Sequence, residues 1–115
     1  MSRGELYNED PITGDARFCA TTASMCGIES AGFEQNEEKK KRAVRFDLML
    51  HAYMMVQSGI PMLYSGDEIG QVNDYTYKND PEKRVDSRYI HRGKFDWKLA
   101  DGRKRKGTVQ KELFD

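Results

Sequence analysis

The 115-residue chain has only two cysteines, three prolines and one tryptophan, and its 19 basic and 19 acidic side chains cancel to zero net charge. Two cysteines, Cys19 and Cys26, make no disulfide framework, and free thiols are expected. A nucleic-acid binder usually carries a strong basic excess, so none is expected as a partner. No apolar run reaches the ~18 residues needed to span a bilayer, so no membrane is expected either. Met1 to Glu5 lack the apolar stretch of a signal peptide, and the expected location is cytoplasmic. The apolar share is also low, 37% against 33% charged, where an ordinary domain has about 45–50% apolar residues.

Those few apolar residues are unevenly placed. Residues 43–64 hold 15 in 22 positions, whereas residues 65–115 hold 14 in 51. So little apolar surface does not offset the entropy of ordering the long tail. The tail is expected to rest on a surface other than its own, and the chain reads as a piece of something larger.

The middle block predicts a helix over 37–57. Asn36 is a good N-cap, and Glu37 and Glu38 carry the charge sign favoured in a first turn. From Leu48 to Val56 the pattern is apolar nearly all round, which predicts burial between two layers. Ser58-Gly59 supplies a left-handed stop, and Pro61 cannot continue the helix. Ile60-Pro61-Met62-Leu63-Tyr64 then reads as a short strand buried on both faces, as in a parallel sheet. Asp67 and Glu68 stand at its carboxyl end, where α/β proteins put their chemistry.

The flanks are rich in turn signals. Thr21 or Thr22 caps a short predicted helix that runs to Cys26 and stops at Gly27. A long polar loop is predicted from Asn73 through Asp86-Ser87-Arg88; loops of that length are usually functional or disordered. A last helix is predicted to begin near Gly107-Thr108.

Three stretches carry a resemblance. They are Thr13-Gly14-Asp15-Ala16-Arg17 leading into Thr21-Thr22-Ala23-Ser24, then Gly59 to Glu68, and Asn73-Asp74-Tyr75 followed by Asp86-Ser87-Arg88-Tyr89-Ile90-His91-Arg92. In that order they resemble the α-amylase family of glycoside hydrolases, family thirteen, in its amylosucrase-like branch, over about residues 3–97. One departure is Ala20, where family members commonly have glycine.

The resemblance implies an α/β fold, the last segment of a (β/α)8 TIM barrel, within a single partial domain over 1–115. Residues 1–35 would be an insertion after strand seven. Residues 36–66 would be helix seven and strand eight, and residues 67–115 the following loop and the start of the last helix. It further implies retaining chemistry on α-glucans or sucrose, by hydrolysis or glucosyl transfer, through two carboxyl groups. Those groups match positions upstream of this chain, so no catalytic residue is expected here and the chain alone is expected to be inactive. No cofactor or metal is implied.

What carries over is the substrate-binding wall. Arg17 matches an arginine on the acceptor side, and Arg88 one that pairs with an early-strand aspartate. His91 and Arg92 share the pocket loop with Asp74, while Asp67 and Glu68 have supporting roles. His51, on the buried helix, is expected to be a packed core or interface histidine rather than a ligand. The alternative function is a small non-catalytic interaction module. The Lys39–Arg42 and Arg103–Lys106 runs are expected to be solvated surface, and the acidic stretch Asp67–Asp86 lacks the spacing of an EF-hand calcium loop. In isolation the chain is expected to be mostly helical with long loops. Its strand would be unpaired, paired with a flanking segment, or paired with a second copy.

Overall fold

A local cap starts nearly every helix, and in the computed structural model, which describes residues 3–115, half of the chain is helical. Thr21 accepts a hydrogen bond from the Ser24 N–H and opens α1 (Thr22–Cys26), which Gly27 closes in the left-handed conformation. Gly27 at once begins α2 (Ile28–Phe33). Asn36 accepts from the Lys39 N–H at 2.9 Å and opens α3 (Glu37–Met55). Asp96 caps α4 (Trp97–Ala100), and Thr108 caps α5 (Val109–Phe114). The side-chain oxygens satisfy amide donors that a helix start leaves free.

The only sheet among the described residues is a two-stranded antiparallel ribbon. Its strands β1 (Glu5–Tyr7) and β2 (Arg17–Cys19) pair in the register Glu5 to Cys19 and Tyr7 to Arg17. The mostly helical chain expected in isolation is observed, with one antiparallel hairpin and no barrel shown among the described residues, whereas the expected parallel strand is corrected. The run Ile60–Tyr64 forms no strand. A strand needs a neighbour to take its N–H and C=O groups, and among the described residues none pairs with this run. Among the described residues no helix is long and apolar enough to cross a membrane.

Two small cores result. One joins Ala23, Ile28, Ala43 and Val44 beneath Val109 and Leu113 of α5; the other joins Cys19, Tyr77 and Ile90 beneath Tyr7 and Tyr89. Asn73 links the outer turns to α1. Its Oδ1 accepts the Thr21 N–H at 2.8 Å, its N–H donates to Ser24 Oγ at 2.9 Å, and its Nδ2 donates to the Arg3 carbonyl at 3.1 Å.

The expected burial of α3 on two sides is a second correction. Only Ala43, Val44 and Asp47 of this helix are buried, because α1, α2 and α5 cover one flank. Met49, Tyr53, Met55 and Val56 are exposed, as are Ile60 at 91% and Met62 at 80%. The helix ends at Met55, and Gly59 takes the expected positive φ beyond it. The radius of gyration, 15.1 Å, exceeds the roughly 13 Å of a compact domain of this size.

Candidate functional site

Aspartate side chains organise the segment expected to be a long loop, and it folds as a series of capped 3₁₀ turns. Asp74 Oδ1 accepts the Thr76 N–H at 2.9 Å and the Thr76 hydroxyl at 2.6 Å, starting the turn Tyr75–Asn79. Asp86 accepts the Arg88 N–H at 3.0 Å and starts the turn Ser87–His91. These are local side-chain-to-backbone bonds of the kind aspartate favours outside helices.

The two turns are fastened together by the Asp74 N–H, which donates to the Ile90 carbonyl at 2.8 Å. Gly93 then passes so close that an added Cβ would stand 2.9 Å from Asp74 Cβ. That approach brings Asp74 into a groove of about 740 Å³ that Arg92 and Lys94 also line. Tyr77, Tyr89, Asn79 and Lys83 also line it. The Arg92 guanidinium lies 5.4 Å from the Tyr89 ring centroid, within cation–π range.

The other sequence-predicted residues are dispersed. Arg88 lies over the Tyr7 ring at 4.6 Å and holds Asp86 by paired bonds, Nε to Oδ1 at 2.9 Å and Nη2 to Oδ2 at 2.8 Å. Those bonds hold the Asp86 carboxyl down at about 2. His91 packs edge-on against Tyr64 with centroids 5.8 Å apart. Its Nδ1 is buried without a hydrogen-bond partner. Burial first, and then the Arg92 charge, push its pKa below the ordinary histidine value. Arg17 is exposed on β2, opposite Tyr7 and outside the groove.

Asp67 and Glu68 face a different cavity, about 310 Å³, between α3, the turn Asp67–Ile69 and α5. Glu68 Oε2 accepts the Gly66 N–H at 2.8 Å. His51 joins them there, and its Nδ1 is 2.8 Å from Asp47 Oδ1 while its Nε2 is 3.7 Å from Asp67 Oδ2. Burial pushes the Asp47 carboxyl up.

The sequence reading missed Tyr77, Tyr89 and Lys94 in the groove, and Asp47 beside His51. The recurring Asp-x-Thr and Asp-x-Arg spacing was a usable signal for the turns, since both are Asx-turn patterns. Nothing in the sequence marked Asp47. The Lys39–Lys41 run is paired with acidic neighbours, Lys40 to Glu37 at 2.6 Å, Lys41 to Glu38 at 3.3 Å, and Lys39 to Glu34. Both cysteines are free.

Fold and groove together define a small helical unit that presents a polar groove with aromatic walls. No protein-family model matches the chain.

Proposed function

We propose that the chain supplies a saccharide-binding wall to an α-glucan- or sucrose-active glycoside hydrolase or transglucosidase of the α-amylase type. The catalytic carboxyl groups would be contributed by polypeptide outside these residues. The observation that carries this reading is the groove that Asp74, Arg92 and the Tyr89 ring line together, with the buried Tyr77 also in its wall. Aromatic faces pack on the apolar face of a sugar ring, and a few fixed polar groups orient its hydroxyls. A carboxylate accepts from a hydroxyl, while a guanidinium fork donates to two oxygens at once. The blocks Gly59–Glu68, Asn73–Tyr75 and Asp86–Arg92 support the same assignment by resemblance. In such an enzyme two carboxyl groups about 5–5.5 Å apart carry out the chemistry, and this wall would orient the glucosyl unit presented to them.

A titration by two-dimensional NMR with sucrose and with maltooligosaccharides tests the proposal. Shifts confined to residues 74–79 and 89–94, and weakened in Arg92→Ala, are expected. Glucose release should not exceed the buffer control. The saccharide-binding reading is overturned if neither sugar perturbs these residues, and the placement of the catalytic groups elsewhere is overturned if turnover is measured.

A second reading, a non-catalytic interaction module, draws on the exposed apolar side chains of Tyr53, Val56, Ile60 and Met62. Exposed apolar surface of this kind marks association sites. A module would associate without any saccharide response, so the same titration separates the two readings.

A further inference from the structure

The cavity at Asp67 has a charge balance that the saccharide groove does not explain. Asp47 is 1% exposed through its side chain and Asp67 is 11% exposed. Among the described residues both have the same single ionic partner, His51. Neither Asp47 oxygen has a directed hydrogen bond. One imidazole carries at most one positive charge, while two carboxylates, Asp67 and Glu68, line the cavity and a third, Asp47, lies against His51. With Asp47 protonated, Asp67 and Glu68 still outnumber His51. No lysine or arginine lines the cavity. Carboxylates withdrawn from water with too few counter-charges are costly, and a cation placed among them relieves that cost.

The rest of the wall decides which kind of cation fits. Leu48, Met55, Leu63, Leu113 and Phe114 supply apolar surface, which offers a metal ion nothing to bind. Among the described residues no three acidic, histidine or cysteine side chains are grouped as metal ligands. A primary ammonium on a short hydrocarbon chain matches both ends. Its nitrogen donates up to three hydrogen bonds, as a lysine ammonium does, and its methylenes leave water against the apolar wall.

We propose that this cavity is a binding site for a small primary alkylammonium ion, with the nitrogen held by Asp67 and Glu68 and the chain lying toward Leu113 and Met55. The Cys26 thiol is in keeping with the negative field there: it is pushed up to about 12, by burial first and then by the Asp47 and Asp67 charges.

Calorimetric titration of the 115-residue chain at neutral pH with hexylammonium, and with hexanol as the uncharged isostere, tests the site. Hexylammonium should bind at least about tenfold more tightly than hexanol, the least that one charge-assisted hydrogen bond would give. Asp67→Asn should remove most of that preference. Because Asp67 also faces His51, Glu68→Gln serves as the second variant, with helix content followed by circular dichroism in both. Leu113→Trp should fill the cavity and abolish binding of both probes. Equal affinity for hexanol and hexylammonium would overturn the proposal. So would binding of neither at millimolar concentration, or an unchanged preference in both carboxylate variants.

Discussion

The Arg88 guanidinium grips Asp86, two residues before it, through Nε at 2.9 Å and Nη2 at 2.8 Å. The pair closes a single turn, so Arg88 has a carboxylate partner without reaching to a distant strand. Its position over Tyr7 also ties that turn to β1.

Removing Arg88 should release Asp86. In Arg88→Ala the Asp86 carboxyl should titrate well above its present value of about 2, measured by carbon-detected NMR. The sign follows from linkage. Asp86 has its folded pKa depressed, so its contribution is present above the ordinary carboxylate range and is lost as pH falls toward 2. An Asp86 titration unchanged by the substitution would refute the contact.

His91 should make stability fall with acid at a higher pH. Burial lowers its pKa below the ordinary 6.5, so the fold favours the neutral ring. The contribution is complete above pH 6.5 and is lost as pH drops from there through the folded value. Urea unfolding at pH 8 and pH 5 should show a difference that shrinks in His91→Gln.

Asn73→Ala should destabilise the chain by about 1–3 kcal/mol, the cost of leaving buried polar groups unpaired. It removes the bonds to the Thr21 N–H and the Arg3 carbonyl. Equilibrium urea denaturation measures this directly. A loss below the error of the method would show that water replaces these bonds.

Ile90→Ala should cost about 2–5 kcal/mol by opening a cavity, because Ile90 is wholly buried against Cys19 and Tyr77. It should also broaden the NMR signals of the groove, whose two turns meet at the Ile90 carbonyl.

The exposed Ile60–Tyr64 run should drive self-association, since unpaired apolar backbone recruits other chains. Sedimentation velocity should show concentration-dependent dimers that Ile60→Lys with Met62→Lys abolishes. A strictly monomeric parent chain would remove the case for pairing.

What could be read from the sequence were features decided by neighbouring residues. The Asn36 and Thr21 caps, the Gly27 stop and the helix after Thr108 all depend on contacts within a few positions, and each forms as expected. The free state of Cys19 and Cys26 was legible in the same way. The ribbon was not, because three-residue strands such as Glu5–Tyr7 carry too little alternation to stand out.

Long-range features required the folded chain. The apolar run Ile60–Tyr64 has a strand's composition, but a strand exists only when a second segment takes up its hydrogen bonds, and among the described residues none does. In the same way, the composition of Leu48–Val56 suited burial between two layers, and only the packing of α1, α2 and α5 decided which flank of α3 was covered. Asp74 and Arg92 line one groove because a backbone bond to Ile90 and a missing Cβ at Gly93 bring distant turns together. His51 lies between Asp47 and Asp67 because α3 packs beside the turn that begins at Asp67. Caps are written within a few residues and follow from local chemistry, whereas a groove or a charge cluster depends on which surfaces the whole chain finds to bury.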